Sequence, residues 1–127
     1  MATVDDVRRI ALSLPETSEG ESHGTTVWRV RDKGFVWERP LRRGDIEALG
    51  ARVPAGPVFG ARTADEGVKL ALVADNPAVF FTTPHFDGYP AVLFELDRIG
   101  EQELTELITD AWLTRAPRKL ANEFLGR

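Results

Sequence analysis

The sequence predicts an α+β domain of two layers, an antiparallel β-sheet packed against helices. Three observations carry this. Residues 25–39 and 79–96 each show the strand–turn–strand pattern of a hairpin. Amphipathic helical stripes stand near both ends of the chain, from Val4 to Leu14 and from Leu104 to Trp112. No internal repeat, low-complexity segment or long linker interrupts the 127 residues, so 1–127 reads as a single domain large enough to bury a core.

Thr3 is placed to cap the first helix, with Asp6 reaching back from the third helical position. Val4, Val7, Ala11 and Leu14 fall on one side of that helix, and Pro15 stops it by forcing Leu14 out of the helical region. Residues 16–24 read as a polar loop. Within it, Gly20-Glu21-Ser22-His23-Gly24 matches the G-x-S-x-G string of a nucleophile elbow. An elbow needs a strand entering and a helix leaving. Here a helix and a proline come before and a strand after, so no catalytic residue is assigned.

Residues 25–31 and 34–39 form the first hairpin, turning at Asp32-Lys33-Gly34. Trp28 and Trp37 pack this sheet on its helices or, with indole N–H groups needing partners, border a partly exposed site. A short helical turn is expected near 45–49, and a third strand over Val58–Arg62. Thr63-Ala64-Asp65-Glu66 has the form of a capping box and opens a helix carrying Val68, Leu70, Leu72 and Val73, which Pro77 ends.

The second hairpin has the densest chemistry. Phe80-Phe81 enters it and Val92, Phe94 and Leu96 leave it with a period of two. Between them Pro84, Pro90 and the pair Asp87-Gly88 build a turn whose tip carries His85, Phe86, Asp87 and Tyr89 outward. Loops of this composition on a rigid scaffold are where function concentrates. After Gly100 a helix shows the stripe Leu104, Leu107, Ile108, Ala111 and Trp112. Pro117 then starts a last short helix with Leu120, Ala121, Phe124 and Leu125 on its apolar side.

Composition excludes several classes. With no cysteine there is no disulfide, zinc–thiolate site or thiol nucleophile. No segment has membrane length and the start lacks the pattern of a secretion signal, so a cytoplasmic protein with no membrane partner is expected. His23 and His85 have no paired ligand spacing, which argues against a metal site. No Gly-rich loop opens a helix after a strand, so no nucleotide cofactor of the dinucleotide or P-loop type is expected, and no cofactor is assigned.

The net charge of −4 hides a polarised chain. Residues 29–62 hold eight Lys/Arg against four Asp/Glu, and 115–127 hold four against one, whereas 63–114 hold two against ten. A basic face on an acidic protein follows if the basic segments converge.

Three segments in this order, Glu19-Gly20 with His23-Gly24, Phe80 through Pro90, and Arg115-Ala116-Pro117-Arg118-Lys119-Leu120, resemble the MmcQ/YjbR family over nearly the whole chain. The resemblance implies a compact α+β fold similar to secretion-chaperone and CyaY-like architectures. It also implies a double-wing, DNA-binding arrangement, with 25–39 and 79–96 as the wings. It supplies no catalytic residues. On this reading Arg29, Arg31, Lys33, Arg39, Arg42 and Arg43 contact phosphates, with Arg115, Arg118 and Lys119 as a second strip, and DNA is the partner. The alternative is a groove for a small aromatic ligand built from Trp28, Trp37, His85, Phe86 and Tyr89, with Asp87 in the same loop. A third reading, an enzyme with His85 and Asp87 as an acid/base pair, lacks a nucleophile or cofactor.

Overall fold

The computed structural model describes residues 2–127. The chain runs α1 (Val4–Leu12), β1 (Thr17–Ser22), β2 (Thr25–Val30), β3 (Lys33–Glu38), α2 (Arg43–Leu49), β4 (Val58–Arg62), α3 (Glu66–Asp75), β5 (Phe80–Phe81), β6 (Ala91–Glu95), α4 (Glu101–Arg115) and α5 (Arg118–Phe124). The strands form one antiparallel sheet in the order β1-β2-β3-β4-β6-β5. Helix α4 packs on β3 and β4, α1 on α4 and the β1–β2 hairpin, and α3 on β5 and β6. This is the expected two-layer α+β architecture. No helix among the described residues is long and apolar enough to cross a membrane.

Both expected hairpins form. In the first, β2 pairs with β3 through Val27↔Trp37 and Trp28↔Val36, with a bulge between Trp28 and Arg29. In the second, Phe80↔Phe94 and Phe81↔Leu93 pair across a long connection. Strand β4 lies between them, so both hairpins belong to one continuous sheet.

Local signals at the helix starts hold with one adjustment. Asp6 Oδ2 accepts the Thr3 amide at 2.9 Å and Thr3 Oγ1 accepts the Asp6 amide at 3.3 Å, the reciprocal pair of a capping box. In α3 the cap is Asp65, whose Oδ1 accepts the Val68 amide at 2.9 Å, and not Thr63. The buried side of α3 also differs from expectation. Val68 and Leu70 are exposed, while Lys69 is buried to 1% exposure.

Residues 17–22 correct the expected loop: they are edge strand β1, registered on β2 from Thr17↔Val30 to Ser22↔Thr25. Most of its side chains are exposed or half-buried, so no apolar alternation is required of them and periodicity carries no signal. His23 and Gly24 turn the hairpin with φ of 52° and 82°, the left-handed pair that a tight two-residue turn demands. Ser22 therefore sits between two strands, without the helix that follows an elbow serine.

The main core lies between sheet and helices. Trp28, Phe59, Phe94 and Phe80 run across it as a chain of rings with successive centroids 6.3, 6.1 and 6.4 Å apart. The α4 stripe Leu104, Leu107, Ile108, Ala111 and Trp112 is buried against it. Trp28 thus leaves the aromatic groove proposed for it. It alternates with Val27 and Arg29 along β2, which sends it to the helix side, fully buried, where its Nε1–H donates to Glu19 Oε1 at 3.0 Å.

Candidate functional site

The other face of the sheet is only partly covered. Val58, Phe86, Ala91 and Leu93 make a small cluster there, with Trp37, Leu41 and Phe81 packed beside it. Next to this cluster β2, β3 and β4 form the floor of a groove of about 580 Å³. Strand register orders that floor into rows. Val27, Trp37 and Gly60 stand opposite one another on consecutive strands. Two residues further along β2 and β4, Arg29 and Arg62 project from the same face, separated by the width of β3, roughly 9–10 Å.

Gly60 is what lets Trp37 lie in the floor. A Cβ at position 60 would stand 2.7 Å from Cε2 and Nε1 of the Trp37 ring, so only glycine leaves room for the indole against the strand. The ring is half-buried and lines the groove, an aromatic surface available for stacking.

One wall is the 84–90 loop. The Arg39 guanidinium stacks 5.2 Å over Phe86 and forms a buried pair with Asp45, with NH2 to Oδ2 at 3.1 Å. Burial raises the Asp45 pKa, but the Arg42 amide and the Arg39 charge outweigh it, so the carboxyl is held below the ordinary aspartate value. Behind the loop, buried Lys69 donates from Nζ to the carbonyls of Phe86 and Tyr89 and pairs with Glu66 at 3.0 Å. One ammonium thereby fixes a loop that turns Phe86 inward onto the Val58–Leu93 cluster, not outward as expected, and leaves Tyr89 exposed.

Five arginines line the groove: Arg29, Arg39, Arg42, Arg62 and Arg115. Arg39 is neutralised by Asp45. Among the described residues, none of the other four has a carboxylate within salt-bridge distance. The one lining carboxylate, Glu38, accepts the Thr26 amide at 2.9 Å. Arg62 lies 5.0 Å over the Tyr89 ring and donates from NH1 to the Tyr89 hydroxyl at 3.1 Å. Arg115 arrives from the last turn of α4. Burial and then the Arg62 charge lower its pKa from the ordinary arginine value, and Tyr89 opposes them. The Nε atoms of both Arg62 and Arg115 are buried with no hydrogen-bond partner. Uncompensated cations beside exposed aromatic faces suit an anion that carries a planar group.

A family model described as YjbR matches residues 12–114. The chain belongs to the YjbR family. It is 56% identical to a protein of Mycobacterium tuberculosis strain H37Rv named Uncharacterized protein Rv2570, over 99% of this chain and 98% of that one. The same figures hold for Uncharacterized protein Mb2600 of Mycobacterium bovis. The crystal structure of Deinococcus radiodurans protein DR2400, a DUF419 domain, superposes with a TM-score of 0.71 at 20% identity, covering 99% of this chain and 89% of that one. That likeness shows the fold.

Within this YjbR domain, Arg29, Arg39, Arg42 and Arg115 meet in the groove with Trp37, Phe86 and Tyr89. The other expected contacts lie elsewhere. Arg31 pairs with Glu16 at 2.7 Å, and Arg43 with Glu47 at 3.5 Å while almost wholly exposed. Lys33, Arg118 and Lys119 are exposed off the groove. His85 is edge-on to Phe86 at 5.1 Å and borders a smaller hollow with Pro84 and Asp45; Asp87 is exposed and lines neither. Arg62, Gly60 and Lys69 complete the site without having been singled out. For Arg62 a signal existed: alternation along Val58–Arg62 puts it on the face of Gly60. Lys69 gave none, because a lysine between Val68 and Leu70 reads as surface.

Proposed function

We propose that this YjbR domain binds nucleic acid through the phosphate backbone, and that the strand it takes is single. The observation that carries this is the groove's charge: four arginines without carboxylate partners beside Trp37 and Tyr89. Arg29, Arg42, Arg62 and Arg115 neutralise phosphates, and the Trp37 ring stacks on an unpaired base, a contact worth about 1–3 kcal/mol per base. The concave shape favours one strand over a duplex, whose flanks would meet the walls at Leu41 and Tyr89. The acids of segment 63–114 act on this arrangement only beyond contact: Glu103, Glu106 and Asp110 line a cleft of about 380 Å³ that shares Arg62 with the groove, and among the described residues none of the three is within salt-bridge distance of it.

Because the contacts are to phosphate, binding is expected to be weak and largely independent of sequence, with Kd of roughly 10⁻⁴–10⁻⁶ M at physiological salt. Fluorescence anisotropy of a labelled single strand and a duplex, across a salt series, tests the reading. The single strand should bind more tightly and weaken as salt rises. No binding at low salt, where attraction is strongest, would overturn it. The second reading, a small anionic aromatic ligand, rests on the groove's volume, which falls in the range of ordinary ligand pockets.

A further inference from the structure

We infer that the end of the groove formed by Arg62 and Arg115 is a phosphomonoester subsite, so that the preferred ligand is a strand end or mononucleotide carrying a terminal phosphate. This rests on the single-strand reading and specifies which part of the strand the site recognises.

The geometry is bipartite. Trp37, against Gly60, offers a face for one base. Arg62 lies two residues beyond Gly60 on the same side of β4, a separation of roughly 6.6–6.8 Å along the strand. That step is of the length that separates a base from its own phosphate. Arg29 starts from the same row on β2 but leans away from Arg62, its NH1 2.8 Å from where a Cβ of Gly20, the β1 partner of Val27, would stand, so the cationic end is Arg62 with Arg115. The planar platform and the cationic end are thus fixed on neighbouring rows of one rigid sheet.

The charge at that end exceeds what a backbone link would neutralise. Arg62 and Arg115 line the same groove close enough for one to depress the other's pKa, neither has a carboxylate within salt-bridge distance among the described residues, and each holds a buried Nε–H unpartnered. A phosphodiester brings a single negative charge. A phosphomonoester brings close to two at neutral pH and three acceptor oxygens, enough to take hydrogen bonds from both guanidinium forks. The Tyr89 hydroxyl, which already accepts from Arg62, holds that fork in place.

The test compares one short oligodeoxynucleotide in three forms: hydroxyl at both ends, phosphate at the 5′ end, phosphate at the 3′ end. Nucleoside and nucleoside 5′-monophosphate are measured alongside by calorimetry. One phosphorylated end should bind about ten-fold or more tightly than the hydroxyl form, the scale expected of a bidentate charge-assisted contact. Arg62→Gln and Arg115→Gln should abolish that preference, whereas Arg42→Ala should weaken all three strands alike. Circular dichroism confirms folding, and Arg62→Lys, which keeps the charge but not the fork, should retain only part of the preference. Three strands bound equally by the wild type would overturn the inference and leave the single-strand reading standing. If none binds at low salt, that reading falls and takes the inference with it.

Discussion

Trp28 and Trp37 stand one residue out of register on paired strands, and they meet opposite fates. Trp28 faces the helices, is fully buried and stacks on Phe59; Trp37 faces the open side and is half-buried on Gly60. The covered face is a continuous aromatic and aliphatic core closed by α1, α3 and α4. The open face has a small apolar cluster and, beside it, four arginines without carboxylate partners among the described residues. One face holds the protein together, and the other carries the unsatisfied polar groups on which the proposed binding rests.

That division separates stability from binding, and substitutions should separate them too. The largest effect is expected at Trp28→Ala, about 3–5 kcal/mol in chemical denaturation, as for other buried aromatics. Leu107→Ala, under the same helix, should cost about 2–5 kcal/mol. Trp37→Ala should cost clearly less than Trp28→Ala and remove strand binding. Equal stability losses for the two tryptophans would break the distinction between faces.

Lys69 joins the faces, since α3 covers one and its Nζ holds the loop that walls the groove on the other. Lys69→Met removes the two charge-assisted bonds to the Phe86 and Tyr89 carbonyls, which then keep only the Tyr89 and Ala91 amides, at a cost of about 1–3 kcal/mol. Hydrogen exchange should rise across 84–90 with little change in β2 or α4.

Two carboxyls give smaller effects of opposite sign in pH. Asp45 has a depressed folded pKa, so its contribution is complete above the unfolded value and is lost as pH falls through the folded one. Asp45→Asn should therefore lower stability near neutrality and flatten the acid limb of the stability curve. Asp110 has a raised pKa, from burial first and Glu106 second. Its ionised form opposes folding, so Asp110→Asn should raise the melting temperature slightly at neutral pH, with the gain vanishing in acid.

The legible parts of this chain are those where neighbours in sequence decide the structure. Thr3 with Asp6, the alternation around Phe94 and the Leu104–Trp112 stripe each announce an element within one or two turns. Strand β1 was hidden because Ser18, Glu19 and Glu21 lie on an edge that buries little. The buried side of α3 was hidden because Lys69 is satisfied by carbonyls 17 and 20 residues away. The groove was half legible. Its aromatic loop and several arginines could be named, but the meeting of Arg62 with Arg115 depends on β4 and the end of α4 coming together in the folded chain. Period two alone was enough to divide Trp28 from Trp37, once the covered face was known.

The central claim is that binding depends on arginines in the groove and not on positive charge in general. Two double variants of equal charge decide it: Arg29→Ala with Arg42→Ala inside the groove, and Arg118→Ala with Lys119→Ala on α5, outside it. Single-strand affinity, measured by anisotropy across a salt series, should fall steeply for the groove pair, with the salt slope shallower by roughly 1.4, the counterion release of two phosphates on a single strand. The α5 pair should match the wild type in affinity and slope. Equal losses from the two pairs would contradict the account, because they would mean that net charge, and not the open face of the sheet, governs the interaction.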